Sequence, residues 1–297
     1  MALLQSLRLT GCFTAFMAYL PAAALAMPIG GSRSVSRRGS GGVGRTLLWD
    51  WTLTRDRGDP AIEATVNSLA SSGKITSITN WETWRPPELP SDIPFRPMVR
   101  TPAQLSGEPW ENLLSVLTSE EKKIVHFFNE PDKQGILPAD AAKMWKDAML
   151  PLRQDYSARL VSPGCASSDD GTRWLDEFMG HLTDGEKPDY MALHFYTKAH
   201  EPADKEILAA KQYLETRHEQ HNLPVIINEL ASTSRDLNIV RNFTTEVGNW
   251  LDGQDWVVEY GVFGVSREPT DGFVSPAAQL LHSNGTWTEL GKWFVGA

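Results

Sequence analysis

The sequence predicts an α/β fold, a single (β/α)8 TIM barrel over residues 45–297, and three observations carry that prediction. Strand-like and helix-like stretches alternate from Arg45 onward, and parallel strands need such long crossovers. The length of this segment matches the roughly 250 residues of an eightfold βα barrel. Polar and aromatic residues gather at the C-terminal ends of the predicted strands, which form one face in a barrel. A doubly wound sheet is the competing arrangement, but no G-x-G-x-x-G turn follows the first strand.

Taken in order, residues 1–26 read as a signal peptide. Arg8 supplies a weak basic start, Cys12 to Leu25 is largely apolar, and Ala24-Leu25-Ala26 has a small-x-small cleavage pattern. An uncleaved anchor is the alternative; the apolar stretch is short for a membrane span. Residues 27–44 are rich in Gly, Ser and Arg without apolar periodicity, as in a flexible segment.

The strand candidates are Thr46 to Trp51, Thr76 to Trp81, Arg96 to Arg100, Lys123 to Asn129, Ala158 to Ser162, Tyr190 to Tyr196, Pro224 to Glu229 and Val257 to Val265. Between them the spacing predicts helices over Pro60 to Ser71, Pro109 to Leu117, Ala139 to Gln154, Thr172 to Leu182, Lys205 to His221 and Ile239 to Leu251. Gly73 closes the first helix as a C-terminal glycine does, and Pro138-Ala139-Asp140 opens another with Pro and an acid in its first turn.

Composition excludes some functions. The chain is 41% hydrophobic and 22% charged with a net charge of −9, and no long basic run occurs, so nucleic acid is not an expected partner. Removing the signal leaves Cys165 as the lone cysteine, read as a small buried hydrophobe. Asn242-Phe243-Thr244 and Asn284-Gly285-Thr286 match the N-glycosylation pattern.

The chemistry centres on Lys123 to Asp132. An apolar run, Ile124 to Phe128, stops at Asn129-Glu130-Pro131, and Pro131 cannot donate to a ladder, so the strand ends at or just before Glu130. Pro224 to Glu229 repeats that design. On strands four and seven of a barrel the two glutamates face each other across the mouth, which is the pair that glycoside hydrolysis needs. One must hold a proton and the other must not, and strand position leaves open which. Trp51, Trp81 and Trp84 at strand ends offer flat faces for sugar rings, whereas Trp49 reads as core. His194 and Tyr196 share one face of strand six and can orient a carboxylate or a sugar hydroxyl. No H-E-x-x-H or comparable ligand spacing appears, and no G-x-S-x-G elbow, so no metal, other cofactor or nucleophilic serine is expected.

Phe127-Phe128-Asn129-Glu130-Pro131-Asp132, Ser162-Pro163, Trp174-Leu175-Asp176-Glu177-Phe178, Leu193-His194-Phe195-Tyr196 and Ile226-Ile227-Asn228-Glu229 occur in that order. The set resembles the Asl1-like glycosyl hydrolase catalytic domain, glycoside hydrolase family 128, over roughly residues 45–295. That resemblance implies a (β/α)8 endo-β-1,3-glucanase of a family widespread in fungi, with a retaining mechanism, Glu130 as acid/base and Glu229 as nucleophile, so that Glu130 is the expected holder of the proton. It also implies that Asn129 contacts the sugar 2-hydroxyl and that Trp51 and Trp81 lie in an aromatic groove. Two positions depart from the family pattern: Asn228 replaces a Thr before the nucleophile, and Val262 stands where strand eight usually carries Trp. The expected protein is therefore a secreted, monomeric enzyme acting on cell-wall β-1,3-glucan, free of the membrane once the signal is removed. The alternatives are a β-glucan-binding wall protein with little turnover, or a hydrolase of the same clan acting on another β-glycan.

Overall fold

The structure is a computed structural model that describes residues 42–198, 201–269 and 272–297, the side chains of 70–72 excepted. The signal peptide and residues 27–41 of the expected flexible segment lie outside the described residues.

Eight strands form the barrel: β1 (Gly44–Leu48), β2 (Ile75–Thr79), β3 (Met98–Val99), β4 (Ile124–Asn129), β5 (Arg159–Gly164), β6 (Met191–Tyr196), β7 (Val225–Ala231) and β8 (Val257–Tyr260). Five pair in the order β2-β1-β8-β7-β6 and three in the order β3-β4-β5, each pairing parallel. Parallel bridges from Ile78 to Phe95 and from Val161 to Tyr190 join the two groups, which closes the ring.

β1, β3 and β8 are shorter than the apolar runs predict, for local reasons. Pro94 and Pro97 have no N–H to donate, which leaves β3 only the two residues that follow Pro97. Gly261 and Gly264, the latter at φ 125°, end β8 early, and Val265 returns only as an isolated bridge to Trp49. Asp50 caps a 3-10 turn, Trp51–Asp56, so Trp51 leaves β1 altogether.

Helices cover the outer face. α1 (Pro60–Ser72) starts on an Asp59 side-chain cap and ends on Gly73 in the left-handed conformation. α2 (Gly107–Ser119) follows β3. The single helix expected over Ala139 to Gln154 is α3 (Pro138–Met144), a π-helical turn over Trp145–Met149, and α4 (Leu150–Tyr156). Pro151 explains the wide turn, because it supplies no N–H to the preceding turn and its ring would crowd an α-helical carbonyl. α5 (Asp169–Gly180), α6 (Ala203–His221) and α7 (Leu237–Leu251) complete the long crossovers, capped at α5 by Ser168 and at α7 by Asp236. The sequence reading missed α8 (Glu289–Val295), a short helix capped by Thr288. Among the described residues no helix is long and apolar enough to cross a membrane.

Two layers hold the barrel. Outside, Phe127, Trp145 and Phe178 pack edge-to-face or tilted between sheet and helices, and their area burial dominates the core. Inside, alternate strand residues form a polar floor. Arg96 and Glu259 pair at 3.1 Å with both side chains buried, Ser77 donates to Glu259 at 3.0 Å, and Thr46 meets Ser77 at 2.7 Å. Burial works to raise the Glu259 carboxyl, but the charge and hydrogen bond of Arg96 outweigh it and hold the group below its ordinary value. His126 shares this fully buried floor, and desolvation pushes it down to about 4, so it is neutral at neutral pH.

Candidate active site

The chain turns sharply where β4 ends. Glu130 adopts a left-handed backbone, φ 45°, fixed by its N–H to the Gly164 carbonyl at 2.7 Å and by its own carbonyl to Lys133 at 2.9 Å. A non-glycine residue there is strained, and such strain survives only where the surroundings over-determine it. The turn aims the Glu130 side chain over the barrel mouth, with 29% of it exposed. Asp132 follows with a buried carboxylate that accepts from the Ala166 N–H at 3.3 Å, tying the loop after β4 to the loop after β5.

Glu229 comes from β7 at a bulge. The register runs Leu193 to Ile227 and then His194 to Glu229, skipping Asn228. The extra residue lets Asn228 remain buried with its Nδ2 near Gly164 while Glu229 enters the mouth with 8% of its side chain exposed. Both Glu229 oxygens accept short hydrogen bonds, Oε1 from the Trp81 indole N–H at 2.7 Å and Oε2 from the Tyr196 hydroxyl at 2.7 Å. Trp81 is also left-handed, φ 60°, at the end of β2.

His194 lies between the carboxylates. Its Nδ1 is 3.1 Å from Glu130 and 3.4 Å from Glu229. Gly164 makes room for the ring, since a Cβ there would lie 2.5 Å from His194 Nε2. Burial opposes the charge on His194, but Glu229, the hydrogen bond and charge of Glu130, and Asp132 together raise it above its ordinary value.

The expected order of the two glutamates is reversed in the free site. Desolvation pushes Glu229 up, and the charge of Glu130 adds to it against His194, Tyr196 and Trp81. Burial acts on Glu130 as well, but the hydrogen bond and charge of His194, with Lys133 beyond, bring it below its ordinary value. The reason is geometric: Glu130 retains contact with water and holds the shorter bond to the imidazole, whereas Glu229 is sealed in.

A cleft of about 210 Å3 opens over these groups, lined by Trp51, Trp81, Asn129, Glu130, Tyr196 and Glu229, together with Arg100, Phe263 and Phe273. Of the residues singled out from the sequence, Trp84 and Asn228 are outside this lining: Trp84 serves through its carbonyl, which accepts from Asn80, and Asn228 is buried beneath. His194 is also fully buried and reaches the cleft through its two carboxylates. Val262 is buried in the core, and the neighbouring Phe263 takes the cleft position, edge-on to Trp81 and Tyr196. Phe273 escaped the sequence reading because it stands in a loop without periodicity; its one signal is a large apolar side chain in a polar, Gly-containing stretch.

Glu130, His194 and Glu229 each bring one ligand-type atom within 4.8 Å of the others, close enough for a cation. Both Glu229 oxygens already accept hydrogen bonds, however, and a cation would have to compete with Trp81, Tyr196 and the His194 proton. The arrangement suits two carboxylates that exchange one proton across a small gap.

Residues 58–294 match the family model described as the glycosyl hydrolase catalytic core. No curated protein sequence matches the chain. Among solved structures, a subgroup VI exo-β-1,3-glucanase of glycoside hydrolase family 128 from Aureobasidium namibiae is 39% identical, with a TM-score of 0.76 over 86% of this chain and 96% of that one. A subgroup V exo-β-1,3-glucanase from Cryptococcus neoformans is 25% identical, TM-score 0.64, over 86% and 98%. A subgroup IV endo-β-1,3-glucanase from Lentinula edodes, at 23% identity and TM-score 0.66 over 84% and 98%, shares the fold. Family match, identity and a two-glutamate mouth agree, and the chain belongs to the glycosyl hydrolase catalytic core family as a glycoside hydrolase of family 128.

Proposed function

We propose that the protein hydrolyses β-1,3-glucan with retention at the anomeric carbon. The observation that carries this reading is the pair of carboxylates at the ends of β4 and β7, with one oxygen of each within 4.8 Å. Retaining glycosidases hold their carboxyl groups about 5–5.5 Å apart, whereas inverting ones need about 6.5–9.5 Å to admit a water.

In the first step a Glu229 oxygen attacks the anomeric carbon, the bond to the leaving sugar oxygen breaks, and Glu130 gives that oxygen its proton. In the second, water attacks the glycosyl ester, Glu130 takes the water's proton and Glu229 leaves as a carboxylate. Glu130 must therefore gain a proton before reaction. A sugar in the cleft displaces the water that Glu130 still touches, which favours its neutral form, and His194 Nδ1, 3.4 Å from Glu229 and 3.1 Å from Glu130, carries to Glu130 the proton that Glu229 gives up to become the nucleophile. Asn129, at the end of β4, is the residue we assign to the sugar 2-hydroxyl; its Oδ1 is buried without a protein partner.

The test is hydrolysis of laminarin-type β-1,3-glucan by the wild type and by Glu130→Gln and Glu229→Gln, with the product anomer followed by NMR. Activity that survives both substitutions refutes the assignment of roles, and an inverted first product refutes retention. The family resemblance leads to an endo mode of attack. The 39% identity to the Aureobasidium namibiae exo-β-1,3-glucanase favours an exo mode as the second reading. Product sizing on a long glucan separates them. The leader pattern in residues 1–26 supports secretion, for which a mature chain starting at Met27 in the medium is the check.

A further inference from the structure

A second hollow of about 940 Å3 adjoins the catalytic cleft and shares two of its walls, Tyr196 and Phe273. Phe273 is 48% exposed, which is unusual for a ring beside a catalytic group, and it packs edge-on to Tyr196 at 4.9 Å and 80°. Its loop is held in place. The Arg235 guanidinium donates to the Gly272 carbonyl at 2.8 Å and to the Val274 carbonyl at 2.7 Å, one on each side of Phe273. A ring presented on a clamped loop is a preorganised surface rather than a side chain that happens to be exposed.

The chemistry of the hollow selects the kind of ligand. Its lining adds the carboxylates of Glu201 and Asp236 and the hydroxyl of Thr233, all acceptors for hydroxyl donors. Arg235 is the one cation among its described lining residues, and both terminal nitrogens are engaged by backbone carbonyls. An anion would meet two like charges there, and a wholly apolar ligand would cut those carboxylates off from water. A neutral polyol with one apolar face fits both the ring and the acceptors.

We infer that this hollow is an additional sugar subsite, in which Phe273 is the platform for a glucosyl unit of the same glucan chain that is cut in the cleft. The inference rests on the glucan reading of the catalytic site and extends it to a place where no catalytic residue is present. Continuity through Tyr196 and Phe273 is what identifies the occupant, since a chain crossing the cleft on that side runs directly onto the ring.

The experiment measures kcat/KM on β-1,3-linked glucose oligomers of increasing length for the full chain and for Phe273→Ala, Phe273→Leu and Phe273→Trp. Covering the exposed half of a Phe corresponds to about a 4- to 12-fold effect, and in Phe273→Ala this loss is expected to be added, for oligomers long enough to reach the hollow, to whatever loss short oligomers show through the shared cleft wall. Phe273→Leu keeps apolar bulk without a flat face and should lose nearly as much, whereas Phe273→Trp should recover it. An unchanged dependence on length overturns the inference. So does a loss equal at every length, because Phe273 would then act only by packing on Tyr196. Calorimetric binding of the same oligomers keeps the two readings apart: Phe273-dependent binding without cleavage supports the subsite and refutes the catalytic reading, and neither binding nor cleavage refutes both.

Discussion

Replacing Trp81 by Phe removes one hydrogen-bond donor from Glu229 and preserves an aromatic ring against Phe263. In the wild type the indole N–H lies 2.7 Å from Oε1, and the carboxylate is almost fully buried, so no solvent stands ready to replace it. A hydrogen bond to a charged group is worth about 1.5–3 kcal/mol, which converts to about a 12- to 160-fold loss in kcat/KM if the bond persists in the transition state. The pH profile supplies a second, independent reading. Glu229 works as a carboxylate, so activity falls as pH drops through its pKa, which burial already holds above the ordinary value. The Trp81 donor opposes that rise; without it the acidic limb must move to higher pH. Tyr196→Phe removes the matching donor from Oε2 at 2.7 Å, and the double variant tests whether the two act together. The assay is initial-rate kinetics on a soluble β-1,3-glucan across the acidic range. A Trp81→Phe enzyme within about threefold of wild type, with its acidic limb unmoved, refutes the claim that this N–H holds the nucleophile; that threefold bound is only about 0.65 kcal/mol.

Three further outcomes follow from buried groups. His126 has a folded-state value of about 4 against an ordinary one near 6.5, so between those values the unfolded chain binds a proton that the folded one does not. Wild-type stability should therefore fall by up to about 1.4 kcal/mol per pH unit on acidification through that window from this group, and His126→Gln should flatten the slope in urea titrations. Arg96→Met leaves Glu259 buried without its partner and should destabilise the fold by about 3–5 kcal/mol at neutral pH, with part of the loss recovered at low pH where Glu259 is protonated; denaturant midpoints across pH decide this. Gly164→Ala forces a methyl to within 2.5 Å of His194 Nε2 although its backbone conformation is ordinary, so the cost is steric, about 1–3 kcal/mol, with activity lost alongside; unchanged stability and rate would show that the His194 ring can retreat.

The barrel was legible because burial writes itself into long apolar runs. Ile124 to Phe128 and Val225 to Ile227 have no other reading than strands, and the polar residues that stop them mark the mouth. The length of β3 and β8 was less legible, since prolines and glycines interrupt hydrogen bonding without changing the apolar pattern. Glu130 and Glu229 could be named from their strand ends, but their charge order could not. That order depends on how much water each touches and on which sits nearer His194, quantities set by three separate strands and a bulge. Trp81 reads from sequence as a flat face for a sugar, and only its left-handed backbone shows the indole N–H directed at Glu229. Phe273 carries no pattern at all: its place beside Tyr196 is made by a clamp from Arg235, thirty-odd residues earlier in the chain.

The left-handed backbone at Trp81 and Glu130 bears on how this enzyme can be improved. At Trp81 the ring packed on Phe263 and its bond to buried Glu229 outweigh the strain, but the Glu130 side chain is partly exposed, and glycine there relieves a conformation that costs other residues on the order of 1 kcal/mol, so a screen for heat resistance alone should favour that codon. That gain removes a side chain on which the proposed reaction depends. Thermal robustness and turnover are thus set against each other at one identifiable point, and directed evolution toward a hardier catalyst should leave it untouched and work on the outer helices instead.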